Sequence, residues 1–373
     1  MKLDQVRPVF DAEGPFTTVR CDVSRHTEHS AHDIEVRWES LVKELDAEGA
    51  PPEDVAAAGD RLLADTHAVG SWERTVVVCG GEVLMDDLRP ARQEDLAVAT
   101  HGLLPDLADW AAGASDRLPF VLAVIDREGA DVSAYDGWHG EAEMRDVEGE
   151  THHLHKVPGG GWSHRRYQQT TEDAWHANAS EVAEEVVGLV KAHRPRVVLL
   201  SGEPGMRADV AEQVAATLPV DSPTAVHQLE SGARSESAST EALWTEVRAV
   251  LDAERVADEQ RLVERVARAR AHDAAAIGVR ETLAALAESR VETLLIASGR
   301  HPHEEVRVDD HPGLRLPDHP AAEDVLPGDL AVVAAACLTD ASIEGVTPEL
   351  LADLPGADWC AALLRWEEPV SPA

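Results

Sequence analysis

Hydrophobic positions along this chain change period repeatedly, and each change marks an element. Phe16-Thr-Thr-Val-Arg-Cys-Asp-Val23 reads as a strand, and Ile34, Val36, Leu41 and Leu45 recur at a spacing that predicts a helix over about 32–46. Arg74-Thr-Val-Val-Val-Cys79 and Glu82-Val-Leu-Met85 flank Gly80-Gly81 and predict a hairpin. Ala111-Ala-Gly-Ala-Ser-Asp116 then reads as a linker. Pro119-Phe-Val-Leu-Ala-Val-Ile125 is nearly continuous in apolar residues, the mark of a strand buried on both faces. Arg127-Glu-Gly129 is a turn, and Ala130 to Tyr135 returns as a second strand, followed by a glycine-bearing loop. A helix from about Tyr167 to His193 carries Val182, Val186, Leu189 and Val190 as one stripe. Pro195 ends it, because proline lacks a backbone donor and clashes with the preceding turn.

Arg196-Val-Val-Leu-Leu200 is the next strand, Ser201-Gly-Glu-Pro-Gly205 a turn, and 206–218 a helix. The apolar runs around Val121 and Val198 are therefore expected side by side in one sheet, with the Pro158 to Ser163 loop projecting from it. A polar linker, Glu230 to Thr240, leads to a charged helical stretch over about 241–275 and a helix over 279–286. Val291-Glu-Thr-Leu-Leu-Ile296 is a strand, His301 to Pro327 a surface loop, and 329–337 a helix. Strands at Ser342 to Val346 and Trp359 to Arg365 complete the pattern. The expectation is an α/β, multidomain chain: an α+β N-terminal domain over 1–112, a middle α/β domain over 117–222 and a C-terminal α/β domain over 235–373. A length of 373 residues suits several cores better than one.

Charge changes the picture most. The formal net charge is -37, which repels nucleic acid as a whole, so any contact with a polyanion must be local. Thr151 to Thr171 contains no Asp or Glu, the longest such run in the sequence. It carries Lys156, Arg165 and Arg166, four histidines, Trp162 and Tyr167 around Pro158-Gly159-Gly160-Gly161. A glycine-rich, cationic, aromatic-bearing tip fits a nucleic-acid contact, and an ordinary solvated loop lacking acids is the alternative reading.

Other chemistries find less support. No apolar window approaches a membrane span, and Met1-Lys-Leu-Asp-Gln opens no signal peptide, so a cytoplasmic protein without membrane attachment is expected. Cys21, Cys79, Cys337 and Cys360 are widely spaced, as buried free thiols are. His152, His153 and His155, and His301, His303, His311 and His319, lack the i, i+4 pairing of a helical metal motif and read as solvated. Gly159 to Gly161 is not followed by the Gly-Lys-Ser/Thr of a P-loop, no G-x-S-x-G elbow occurs, and no cofactor is implied.

The order of parts, with Gly159-Gly160-Gly161, Arg165-Arg166-Tyr167-Gln168, Glu172, Trp175, Asn178, Val182 to Glu185 and Val291 to Ile296, resembles the archaeo-eukaryotic class 1 release factor superfamily. That superfamily includes Pelota and the bacterial release-factor-like proteins. The resemblance covers about 117–370, and within the superfamily it points to the Balon-related actinobacterial group. It implies an RNase H-like middle domain, an L7Ae-like C-terminal domain, and docking in the ribosomal A site on ribosomal RNA and tRNA. Elongation factor Tu is a partner by family analogy. True release factors place a glutamine after two glycines. Here Gly161 holds that position, or His164 if Trp162 and Ser163 are counted as an insertion. The resemblance thus implies a ribosome-binding segment of Lys156, Gly159, Gly160, Gly161, Trp162, His164, Arg165, Arg166 and Tyr167 without peptide hydrolysis. The expected role is ribosome hibernation or stalled-ribosome protection. A peptidyl-tRNA hydrolase using His164, and a stress-induced binding protein unrelated to ribosomes, are the alternatives.

Overall fold

Runs of β-branched residues build three main sheets in the computed structural model of the chain. It describes residues 6–24, 30–64, 71–91, 93, 95–113, 117–137, 141–148, 162–219, 222–232, 240–297, 299, 304–317, 320–321 and 323–366, with the backbone alone at 30, 141, 148 and 162–174. The chain divides into two compact units, Met1–Ser115 with Asp258–Ala373, and Asp116–Ala257.

The first block contains α1 (Arg7–Phe10), β1 (Phe16–Asp22), α2 (Ser30–Glu48), α3 (Pro52–Leu62), β2 (Trp72–Cys79), β3 (Glu82–Pro90), β4 (Ala97–Gly102) and α4 (Ala108–Ala112). Its sheet has the order β3-β2-β1-β4, antiparallel throughout. Val19, Cys21, Val76 and Val78 meet Ile34, Leu41 and Leu45 of α2 and Ala58 and Leu62 of α3 in one core. Alternation sends Phe16 and Val77 into a different core, shared with the chain's last block. The stretch expected to be a linker is corrected here: Ala111 and Ala112 are helical and buried in that second core. Two small apolar residues let α4 come close to Gly345, where an added Cβ would lie 1.9 Å from the Ala112 carbonyl oxygen.

The middle block runs β5 (Phe120–Ile125), β6 (Gly129–Tyr135), β7 (Glu141–Glu148), α5 (Trp162–His193), β8 (Val197–Gly202), α6 (Pro204–Thr217), β9 (Ala225–Gln228) and α7 (Thr240–Arg270). The sheet order is β7-β6-β5-β8-β9, with β5, β6 and β7 antiparallel and β8 and β9 parallel additions, the RNase H-like arrangement. Val121 lies opposite Val198, as the two apolar runs predict. Val121, Ala123 and Ile125 face α5 and α6, whereas Phe120 and Leu122 face Leu243 and Val247 of α7. Burial on both sides explains why β5 alternates so little. The third strand, β7, departs from the sequence expectation. At an edge of the sheet its Glu-Ala-Glu-Met-Arg-Asp-Val-Glu needs no continuous apolar face. Helix α5 also starts at Trp162 instead of Tyr167, because nothing between Gly161 and Tyr167 breaks a helix.

The last block follows as β10 (Ala275–Ile277), α8 (Gly278–Ala287), β11 (Val291–Ala297), β12 (Glu305–Arg307), β13 (Val325–Pro327), α9 (Gly328–Leu338), β14 (Ser342–Val346), α10 (Pro348–Leu351) and β15 (Cys360–Leu364). Its mixed α/β sheet has the order β10-β15-β11-β14, with only β11 and β14 parallel. The 301–327 stretch is not all loop, since its ends pair as the two-stranded ribbon β12-β13. Among the described residues no helix is long and apolar enough to cross a membrane.

Candidate nucleic-acid interface

Lys156, Gly159, Gly160 and Gly161 lie outside the described residues, as do His152, His153 and His155. Trp162, His164, Arg165, Arg166 and Tyr167 form the first turns of α5, described as helical backbone. The first turn of α5 contains no acidic residue, so its own sequence leaves the positive end of the helix dipole without a carboxylate. Arg165 and Arg166 add full charges at that end.

Thirteen helical residues, ~20 Å of rise, precede Trp175, where described side-chain contacts begin. The Arg127 guanidinium lies over the Trp175 ring, 4.9 Å from its centroid. Arg127 Nη2 is 3.3 Å from Glu203 Oε1, and Asn178 Nδ2 donates to the Arg127 carbonyl oxygen at 3.2 Å. One helical position beyond Trp175, His176 Nδ1 is 3.2 Å from Asp209 Oδ2 on α6. These contacts join the β5–β6 turn, α5 and the start of α6. Sequence reasoning reads Arg127 only as a turn residue, because its partners are distant in the chain.

The Ser201 to Gly205 turn offers backbone donors at the start of α6, and the chain fills them itself. Glu203 accepts from the Met206 N–H at 2.9 Å as the cap of α6. That hydrogen bond, with help from Arg127 and against partial burial, holds the Glu203 carboxyl below its usual range. Gly202 has φ +109, and a Cβ there would sit 1.8 Å from the Ile125 carbonyl oxygen, so only glycine fits the turn. Arg207, almost fully buried, donates to the Leu229 carbonyl and lies 3.1 Å from Glu230, fastening the strand that follows.

Edge strand β7 is fixed to α5 by charge. Arg145 donates to Glu143 at 2.8 Å and to Glu185 at 2.7 Å, and His193 Nε2 is 2.7 Å from Glu143. The hydrogen bond with His193, then that with Arg145, lowers the Glu143 carboxyl; the bonds to Glu185 and Glu143 raise Arg145.

The unit formed by the first and last blocks contains a different kind of cluster. Glu73 is buried between Arg20 and Arg89, its Oε1 4.0 Å and 3.9 Å from the two guanidinium groups. Neither Glu73 oxygen has a hydrogen-bond partner within the described residues. Arg89 also stacks on Trp110 and pairs with Asp87 at 3.0 Å, while Arg20 pairs with Asp109 at 3.1 Å. Burial lowers the Arg89 pKa, opposed by Asp87. Burial pushes the Cys21 and Cys360 thiols up to about 12, which makes them poor nucleophiles. Among the described residues no group of three or more His, Cys, Asp or Glu could hold a metal ion. His301, His303 and His319 lie outside them.

Residues 119–272 match the family model described as bacterial archaeo-eukaryotic release factor family 2. Two Mycobacterium tuberculosis proteins, the uncharacterized proteins MT2704 of strain CDC 1551 and Rv2629 of strain H37Rv, are each 28% identical over 301 residues. The match covers 79% of this chain and 78% of each relative. Among solved structures, Archaeoglobus fulgidus Pelota is similar with a TM-score of 0.37 and 13% identity, over 97% of this chain and 91% of that one. A ribosome-bound archaeal Pelota with ABCE1 gives 0.41 and 15%, over 98% and 93%. Saccharomyces cerevisiae Dom34 gives 0.40 and 9%, over 80% and 81%.

Proposed function

We propose that the chain, whose residues 119–272 match bacterial archaeo-eukaryotic release factor family 2, is a translation factor that occupies the ribosomal A site without hydrolysing peptidyl-tRNA, protecting idle or stalled ribosomes. The observation that carries this reading is a coincidence in one domain. The family match over 119–272 takes in the acid-free window 151–171, the most cationic contrast in a chain of charge -37. In this reading Lys156, Arg165 and Arg166 meet phosphates, Trp162 and Tyr167 stack on bases or brace the loop, and Gly159 to Gly161 let the backbone approach RNA closely.

Electrostatics supports the division of labour. The ~20 Å of helix between Trp162 and Trp175 exceeds twice the ~8 Å screening length at physiological ionic strength. Charges that far apart along the helix are largely screened from one another, while Glu172 and Asp173 lie nearer to the cationic turns. The absence of a glutamine after Gly159-Gly160 supports docking over chemistry, since Gly161 supplies no amide to position water. The domains 1–112, 117–222 and 235–373, a cytoplasmic location and an elongation factor Tu contact belong to the same proposal.

Sucrose-gradient sedimentation of lysates from growing and starved cells tests it. The protein is expected in the ribosomal fractions, enriched on starvation; a protein that stays at the top of both gradients refutes the reading. Purified protein added to ribosomes carrying peptidyl-tRNA is expected to release no peptide above the uncatalysed rate. Release that falls about 100-fold in His164→Ala would establish the hydrolase instead.

A further inference from the structure

Among the described side chains of α5, those that pack on the sheet lie in its second half. Its buried apolar side chains run from Ala179 to Val190, with Trp175 partly buried against the same core. Ile125 and Gly202 lie opposite each other at one end of the parallel pair β5 and β8; Arg127 comes two residues after Ile125, and Glu203 directly after Gly202. Trp175 meets that end of the sheet through Arg127. The thirteen helical residues that precede Trp175 lead from there to the glycine segment.

We propose that Arg127 is the positioning residue for that helix: its guanidinium, clasped between the Trp175 ring and Glu203, fixes the angle at which α5 meets the sheet. Resting on the translation-factor reading above, this sets where Arg165 and Arg166 are presented to the ribosome. Three ties converge on Arg127. Two belong to its side chain, the ring contact at 4.9 Å and the Glu203 contact at 3.3 Å. The third belongs to its backbone, the carbonyl that accepts from Asn178 at 3.2 Å. Among the described residues no acceptor reaches the buried Trp175 Nε1, so no polar bond of its own fixes the indole. Glu203 is in turn anchored by capping α6. Arg127 thus ties α5 to a helix that is itself fixed to the sheet, while half of its own side chain remains in solvent. Removing the side chain leaves the Asn178 bond and the hydrophobic core in place, so a change in helix direction is separable from unfolding.

The test measures spin-label distances in the full chain. The half-buried Cys79 is replaced by serine, and labels are placed at Gln169→Cys, ahead of Trp175, and Ala216→Cys, exposed on α6. The parent should give one narrow distance distribution. Arg127→Ala should broaden it with little change in thermal midpoint. Arg127→Lys, which keeps a cation between the ring and Glu203, should restore most of the narrow peak. Ribosome affinity should fall about three- to tenfold in Arg127→Ala, the scale of removing an exposed cation–π interaction and an exposed ion pair together. An unchanged distribution in Arg127→Ala overturns the proposal. So does a broadened one with unchanged ribosome affinity, because then the angle does not govern docking. If the parent itself fails to sediment with ribosomes, the translation-factor reading falls, and the distance measurement still decides whether Arg127 directs the helix.

Discussion

Two arginine–carboxylate clusters in this molecule use the same residue types in opposite settings. Around Glu73, two guanidinium groups and a carboxylate are all but sealed from water, and neither Glu73 oxygen finds a hydrogen bond within the described residues. Around Glu203, the Arg127 side chain is 54% exposed and the carboxylate's main tie is a backbone N–H. Removing Glu73 from the first cluster leaves two buried guanidinium groups with one carboxylate each, while removing a partner from the second hands the rest to water. Burial converts an ion pair into a condition for folding. Exposure leaves it free to adjust geometry at little cost to stability.

The largest expected effect follows from that contrast. Glu73→Ala should destabilise the unit of first and last blocks by about 2–4 kcal/mol, because two buried guanidinium groups lose the anion between them and keep only Asp109 and Asp87. Denaturant unfolding followed by circular dichroism reads this directly, and a change below about 1 kcal/mol would show that Asp87 and Asp109 suffice for the two guanidinium groups.

Next comes Gly202→Ala. A Cβ placed 1.8 Å from the Ile125 carbonyl at φ +109 forces the β8–α6 turn open. A cost of roughly 1–3 kcal/mol is expected, confined to the middle unit. Hydrogen exchange should show faster opening of β5 and β8 and unchanged protection in β11 and β15; uniform loss across both units would contradict it.

The Glu203 cap is smaller still. Glu203→Ala should cost about 1 kcal/mol. Since folding lowers this carboxyl below its usual range, its contribution is complete above the ordinary glutamate pKa and disappears as pH falls through the lowered folded value. The parent and Glu203→Ala should therefore converge in stability as pH drops from about 5 towards 3. Curves that stay parallel through that range would remove the cap from the account.

What the sequence disclosed follows the same division between buried and exposed. β5 and β8 were legible because cores on both faces demand unbroken apolar runs, and their pairing at Val121 and Val198 followed. β7 was not, because an edge strand can carry Glu, Arg and Asp in nearly every position. The Ala111-Ala112 pair looked like a linker since small residues signal flexibility in isolation, whereas here they permit close packing on Gly345. In the candidate site, the cationic segment stood out by charge contrast alone. Arg127 did not, because Asn178 reaches it across 51 residues and the pattern of neither segment announces the other.

The central claim is that the acid-free segment is the ribosome contact, and one measurement tests it most directly. Parent and Arg165→Ala/Arg166→Ala proteins are sedimented with purified ribosomes over a series of salt concentrations. The account predicts weaker binding by the double variant at every salt concentration, unchanged thermal stability, and a salt slope shallower by about 0.7 for each phosphate no longer neutralised, by analogy with single-stranded nucleic acid. A double variant that follows the parent in both affinity and slope would contradict it.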